Sequence, residues 1–351
     1  MSVTYVVSDD GKLTKSGDTL QMASENGVTT IYPHRIDQLV LLGRTEITSH
    51  ALKLLMLHNI DTVFISSSGR FNGKLVFQSG KNVLLRRRQF DLLNDTDFCL
   101  MLAKSIVLSK LRSQMVFLQR AARVRGYNMK KDIDRIKKCI DEVEYCRDIA
   151  VIRGYEGVGA KHYFNSFRYA IIPDWALFSG RNMFPPKDNV NAVMSFLYTM
   201  IMFRVDAALE SADLDPYCGY YHTLGYGRKS LAFDLMEEYR VVLGDTIAVS
   251  LFNNDILSPE DFHTQNFAAA DDEYPLDERD NDVDNKVRGV LLTKEGLKKV
   301  IARLEQKLNT EILHPNSGRR IKYKNIFFEQ VQHFKRCLTG EDAFYKPFEA
   351  K

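Results

Sequence analysis

Leu84-Leu85-Arg86-Arg87-Arg88 marks the point at which the chain changes its pattern. Upstream, from Val3 to about Ser79, short β-rich runs follow one another: Tyr5-Val6-Val7, Thr29-Thr30-Ile31-Tyr32, Leu39-Val40-Leu41-Leu42 and Thr62-Val63-Phe64-Ile65. Asp10-Gly11, Gly43 and Asn72-Gly73 punctuate them as turn signals. One helix interrupts the series, because Thr48 or Ser49 can cap the helically spaced Ala51, Leu52, Leu54 and Leu55, and Asn59 can close it. Downstream, from about Asp95, Gly and Pro thin out and apolar residues recur at i, i+3, i+4 and i+7. This spacing predicts helices over 95–125, 129–151, 190–211, 228–243 and 293–310. The fold class is therefore α+β: residues 1–85 form a small, mostly β domain, 86–94 a linker, and 95–351 a larger all-α domain that carries the chemistry.

A chain of 351 residues with 45% hydrophobic content can bury one large core or two ordinary ones. Its formal charge of +3 is too small to signal a polyanionic partner by itself, so any such signal must be local. The five cysteines (Cys99, Cys139, Cys146, Cys218, Cys337) include no C-x-x-C pair, which argues against a disulfide framework or a cysteine zinc knuckle and fits a reducing cytoplasm. The N-terminus lacks the charged start and apolar core of a signal peptide, and no run approaches about 18 uninterrupted apolar residues. We expect a cytoplasmic protein with no membrane partner. Residues 271–284 carry eight acidic residues against one arginine and read as an exposed, solvated loop.

The densest chemical signal is Asp215–Arg240, DPYCGYYHTLGYGRKSLAFDLMEEYR, which places His222 in a Gly-rich turn ahead of a helix bearing Asp234, Glu237 and Glu238. Asp234 is i, i+3 from Glu237 and i, i+4 from Glu238, so either pair can share a face. Two carboxylates that close repel unless a cation lies between them. The bland alternative is a solvated acidic face. It is weakened by Phe233 and Leu235 on either side of Asp234, since buried carboxylates are rare unless paired or metal-bound. A second candidate, Glu156, sits among the small residues Gly154, Gly157, Gly159 and Ala160, which suit either a ligand or a tight helix crossing. Ten Lys or Arg between Lys110 and Lys138 form a local basic surface, suited to phosphates or simply to solubility. Arg240 and Arg228 flank the acidic helix, while Tyr163, Tyr220, Tyr221 and Tyr226 are candidates either for base stacking or for the core.

Together these segments resemble the CRISPR adaptation integrase family. The matching stretches are Glu156-Gly157-Val158-Gly159-Ala160, Gly219-Tyr220-Tyr221-His222, and Gly227-Arg228-Lys229-Ser230-Leu231-Ala232-Phe233-Asp234 through Arg240. The loop with Arg181, Pro185-Pro186, Asp188 and Val190-Asn191-Ala192 matches as well. Gly159 stands where alanine is common, Lys229 where proline is common, and Glu237 where some members have aspartate. The resemblance implies that Glu156, His222 and Asp234 bind Mg2+ or Mn2+, with Glu237 a further catalytic residue nearby. It makes Arg240, Arg228, Tyr163 and Arg181 candidates for DNA contact. It also implies insertion of prespacer DNA into a CRISPR repeat array by 3′-hydroxyl attack on a phosphodiester. The implied partners are double-stranded DNA, a second copy of the chain paired through the β domain, and a small ferredoxin-fold adaptation subunit in a heterohexameric complex. Two alternatives share the residues: an endonuclease selective for branched DNA that uses water, and a non-catalytic DNA-binding scaffold.

Overall fold

The β-rich runs of the first eighty residues assemble into one sheet. The computed structural model describes residues 2–25, 27–67, 71–75, 82–182, 185–268 and 286–349, so the acidic stretch 271–284 lies outside the described residues. The strands are β1 (Val3–Ser16), β2 (Thr19–Ser24), β3 (Gly27–Ile31), β4 (Gln38–Ile47), β5 (Asp61–Ile65) and β6 (Phe71–Leu75), with helix α1 (Ser49–Leu57) between β4 and β5. Their order is β3-β2-β1-β4-β5-β6; β4 runs parallel to both β1 and β5, and the other pairs are antiparallel. Thr48 caps α1 by accepting the Ala51 N–H. Leu54 and Leu55 then close a core with Leu13, Leu20, Leu39 and Leu41. Asn72-Gly73 is no turn: it lies inside β6, with Gly73 opposite Phe64.

The chain divides into compact units at Met1–Lys81 and Asn82–Lys351. The expected linker 86–94 falls largely on helix α2 (Val83–Leu92), which belongs to the second unit. Buried Gln89 exchanges hydrogen bonds with the backbone of Asp215, and Arg88 donates to the Leu338 carbonyl. Helix α3 (Thr96–Arg125) is capped by Asp95 and ended by Gly126 in the left-handed conformation. The expected helix 129–151 is two, α4 (Lys130–Tyr145) and α5 (Ile149–Phe167), because Asp148 leaves helical geometry to cap the second. Helix α6 (Asn189–Ser211), capped by Asp188, is long and apolar enough to cross a membrane, yet 83% of its most apolar window is buried, as in a core helix.

Helix α7 (Ser230–Tyr239) passes through a π-helical turn, Arg240–Asp245, into α8 (Thr246–Asn253). Then come α9 (Lys294–Leu308) and α10 (Tyr323–Thr339). The unit is mainly rather than wholly helical, since β7 (Phe262–Ala268) pairs with β8 (Lys286–Leu292), and β9 (Glu311–Leu313) with β10 (Arg320–Lys322). All five cysteines are free thiols.

One buried carboxylate ties the C-terminal segment to this framework. Glu238 of α7 accepts hydrogen bonds from the Phe348 amide (2.5 Å), the Gln330 amide group (3.1 Å) and the Tyr345 hydroxyl (3.1 Å). Burial outweighs these bonds and raises its carboxyl from 4.5 to about 7. A carboxyl raised in the folded state stabilises the fold below its unfolded value, and that stability is lost as pH rises through the folded value. Glu238→Gln, neutral throughout, is therefore expected to gain stability relative to the wild type by about 3 kcal/mol between pH 4.5 and pH 8. Urea denaturation across that range checks it; a gap that does not change with pH would contradict the assignment.

Candidate active site

The turn before α7 has no regular structure of its own and is held by one carboxylate. Gly219 packs directly on the start of α7: a Cβ there would lie 2.4 Å from Ser230 Cβ and 2.6 Å from the Ser230 carbonyl carbon. The Leu231 N–H donates to the Pro216 carbonyl (2.9 Å) and the Ser230 hydroxyl to the Thr223 carbonyl (2.9 Å). Asp234, fully buried one turn into the helix, then receives the turn. Its Oδ2 accepts the Tyr220 and Tyr221 amides at 2.7 and 3.0 Å, and its Oδ1 accepts the His222 amide at 2.8 Å and His222 Nδ1 at 2.7 Å. A carboxylate offers about four acceptor positions, and all are taken. Asp234, expected as a metal ligand, thus has its acceptor positions occupied by N–H donors of the turn. Because an ionised carboxylate only accepts, Nδ1 carries the proton, and Nε2 is the ring nitrogen left with a lone pair.

Glu156 and Glu237 do converge. Gly159 of α5 packs against Leu111 of α3 so closely that a Cβ would sit 2.3 Å from Leu111 Cδ2. This crossing brings the preceding residue of α3, Lys110, to Glu156, one turn earlier on α5. Lys110 Nζ lies 2.5 Å from Glu156 Oε1 and 2.8 Å from Glu237 Oε2. Arg240 NH1 is 3.3 Å from Glu237 Oε1, and the Tyr221 hydroxyl donates to Glu156 Oε2. Burial alone would raise the Glu237 carboxyl, but Arg240 and Lys110 hold it down to about 2, with His222 acting in the same direction. The sequence places Lys110 in a basic surface; the structure buries it, 8% exposed, between two carboxylates. The signal available was its helical phase, since Ser109, Lys110 and Leu111 stand between Val107 and Gln114 on the buried side of α3.

Two of the four residues expected to contact DNA are committed elsewhere. Tyr163 is fully buried and donates to Asp245 at 2.7 Å. Arg181 donates to Asn191 Oδ1 (2.8 Å) and the Asn182 carbonyl (2.5 Å) and stacks over Tyr198 at 5.2 Å. Tyr220 and Tyr221 are also core residues, whereas Tyr226 is wholly exposed. Arg228 is exposed, and Arg240 is partly so, with its Nε lacking a hydrogen-bond partner. Arg240 lies over Tyr198 at 4.7 Å. The Tyr198 hydroxyl is fixed on Asp245 (2.5 Å), whose carboxyl burial raises to about 6. His162 is structural, with Nδ1 2.8 Å from Asp132. The basic run divides further: Arg112, Arg120 and Arg125 line a cavity of about 460 Å3 with Phe117, Lys307 and Tyr323, and none of the four candidate catalytic residues reaches it.

The two glutamates suit a divalent cation. Their carboxylates already face one ammonium, and Glu237 Oε2 is buried without a hydrogen-bond partner; the donor atoms of Glu156, Glu237 and His222 do not all lie within 4.8 Å of one another, so the imidazole would complete the set only by moving toward the pair. His333, Cys337 and Asp342 do lie within 4.8 Å of one another, but they suit a metal poorly. His333 Nδ1 is held by Asp342 (2.9 Å), its Nε2 accepts the Lys346 amide (3.0 Å), and Arg336 occupies Asp342 (2.7 Å). Burial, helped by Asp342, pushes the Cys337 thiol up to about 11.

If Asp234 is the anchor of the turn, Asp234→Asn sets an amide against amide donors and is expected to cost about 3 kcal/mol of stability. Gly219→Ala should be similarly costly, while Glu156→Gln stays within about 1 kcal/mol of wild type. Thermal unfolding followed by circular dichroism checks this, and equal losses for Asp234→Asn and Glu156→Gln would contradict it.

Residues 4–270 match the family described as CRISPR associated protein Cas1. A CRISPR-associated endonuclease Cas1 of Thermus thermophilus is 32% identical, with the similarity covering 99% of this chain and 97% of that protein. Among solved structures, a casposase bound to integration product superposes with a TM-score of 0.85 at 19% identity, over 100% of this chain and 95% of its own. The chain of a Cas6-RT-Cas1–Cas2 complex gives 0.82 at 21% identity, over 99% of this chain and 36% of that one. These two likenesses speak to the fold alone. Similarity along the full length thus agrees with the motifs at Glu156, His222 and Asp234, and the chain belongs to the Cas1 family of CRISPR-associated proteins.

Proposed function

We propose that this chain is a divalent-metal-dependent DNA integrase that joins a DNA 3′-hydroxyl to a phosphodiester within a CRISPR repeat. The observation that carries the reading is the convergence of Glu156 and Glu237 on the Lys110 ammonium, with His222 held on Asp234 of the helix that carries Glu237. The name of the Thermus relative, an endonuclease, and the integration product bound by the casposase support it. Glu156, Glu237 and the Nε2 atom of His222 are the residues that would hold Mg2+ or Mn2+, and the imidazole favours Mn2+. When bound, such an ion supplies Lewis-acid polarisation of the phosphodiester.

The protein's own contributions follow from the geometry. Asp234 fixes the ring orientation and tautomer of His222, as outer carboxylates do for metal-binding histidines. Arg240, braced on Tyr198 and Glu237, and exposed Arg228 would contact phosphates in this reading. In strand transfer the incoming 3′-oxygen bonds to phosphorus as the bridging 3′-oxygen of the target leaves and takes up a proton, so the number of phosphodiesters is conserved. Water in place of the hydroxyl gives cleavage at the same site. The β unit carries no catalytic candidate, and we assign it to pairing two chains. The Cas2-containing complex among the structural neighbours supports a small adaptation subunit of ferredoxin fold as the further partner.

The test is transfer of a labelled duplex with 3′-hydroxyl ends into a supercoiled plasmid carrying a repeat array, with Mn2+ or Mg2+ and the cognate small subunit. Wild type is expected to transfer label. His222→Ala and Glu237→Gln should lose at least about a hundredfold, and Asp234→Ala about ten- to a hundredfold. Metal-dependent cutting of branched DNA without transfer would replace this reading with a structure-selective endonuclease; DNA binding with neither reaction would leave a scaffold.

A further inference from the structure

Lys110 has no part in that account so far, yet it lies at its centre. Its Nζ is 2.5 Å from Glu156 Oε1 and 2.8 Å from Glu237 Oε2, on a side chain almost closed to solvent. Arg240 approaches the other oxygen of Glu237. The two carboxylates that face the site are therefore already balanced by two cations, Lys110 and Arg240. Asp234 adds a third negative charge, held by four N–H donors that carry no net charge. Counting all three carboxylates, adding a divalent ion while Lys110 stays in place would leave one excess positive charge in a poorly solvated region, which is costly. Each phosphodiester of bound DNA brings one negative charge.

We infer that Lys110 is a built-in counter-cation that occupies the space between Glu156 and Glu237 and makes divalent-ion loading depend on bound DNA. The inference rests on the metal-dependent reading above. It assigns Lys110 a positioning role, acting through Glu156 and Glu237. It explains why a lysine, which carries a compact point charge on a flexible stem, stands at a buried helix position otherwise surrounded by Val107, Leu111 and Gln114. Ordering the steps in this way keeps the site without its metal until substrate phosphate arrives.

The test is Mn2+ binding by the full chain, read from the electron paramagnetic resonance signal of free Mn2+, with and without a duplex bearing 3′-hydroxyl ends. Wild type, Lys110→Met, Lys110→Arg and Glu156→Gln are compared, with circular dichroism to verify folding. Lys110→Gln, whose amide can still bridge the carboxylates without charge, replaces Lys110→Met if the latter does not fold. The duplex is expected to tighten Mn2+ binding by wild type and by Lys110→Arg by about tenfold or more. Lys110→Met or Lys110→Gln should bind Mn2+ about tenfold tighter than wild type without DNA, with the gain from the duplex correspondingly reduced. If Glu156→Gln weakens Mn2+ binding but neutralising Lys110 fails to strengthen it, the counter-cation role is wrong while the metal site stands. If no variant binds Mn2+ in either condition, the metal-dependent reading falls, and this inference with it.

Discussion

The carboxylate of Asp234 is the constraint on which the site depends. The turn Tyr220–His222 forms no strand or helix and cannot satisfy its own amides, so three successive N–H groups converge on one buried anion. Charge-assisted hydrogen bonds of this kind are worth more than neutral ones in a region of low dielectric, and losing the acceptor would leave several buried donors unpaired. Because Asp234 belongs to α7, the same contact fixes the His222 ring relative to Glu237, which lies three residues further along that helix. One residue thereby sets both the local fold and the spacing of two candidate ligands.

The remaining geometry comes from how the helices meet. Gly159 lets α5 approach α3 at Leu111, and the neighbours of that crossing, Lys110 and Glu156, are drawn together as a consequence. Beyond Glu237, the π turn shifts the helical phase so that Arg240 and Asp245 both point toward Tyr198. Extra residues in a helix are tolerated where tertiary contacts repay the lost regularity, and such bulges often border functional sites. Here the contacts are the Tyr163 and Tyr198 hydroxyls on Asp245 and the Arg240 guanidinium over the Tyr198 ring. The adjacent residue Glu238 serves the opposite side of α7, where it holds the C-terminal segment. Consecutive acidic residues on one helix thus have unrelated tasks, decided only by the face on which each lies.

Sequence reasoning was least informative where residue type is ambiguous between surface and core. A tyrosine has an apolar ring and a polar tip, so Tyr163, Tyr220 and Tyr221 suit a buried position with a hydroxyl partner as well as a DNA surface. A lysine within a basic run is usually solvated, and only its position relative to Glu156 and Glu237 distinguishes Lys110 from its neighbours. Helix boundaries failed at Asp148, where a capping side chain breaks a continuous apolar pattern, and at 83–92, where three arginines hid a helix anchored by Gln89 and Arg88. Helix α10 was legible in the helical spacing of Tyr323, Ile326, Phe327, Val331, Phe334 and Leu338 although it was not anticipated, whereas the β9–β10 ribbon is too short to be set by local preference.

By itself the sequence determined the two-part organisation, the long helices α3 and α6, and the identity of the residues that gather at the site: Glu156, His222, Asp234 and Glu237. Hydrophobic period and capping side chains act over a few residues, and a long motif retains its meaning wherever it folds. The tertiary structure alone decided the division of contacts among those residues, with Asp234 bonded to His222, Glu237 meeting Glu156, and Lys110 lying between the two. That division depends on which lone pairs are already occupied and which helices cross, and both are set by contacts between segments dozens to more than a hundred residues apart.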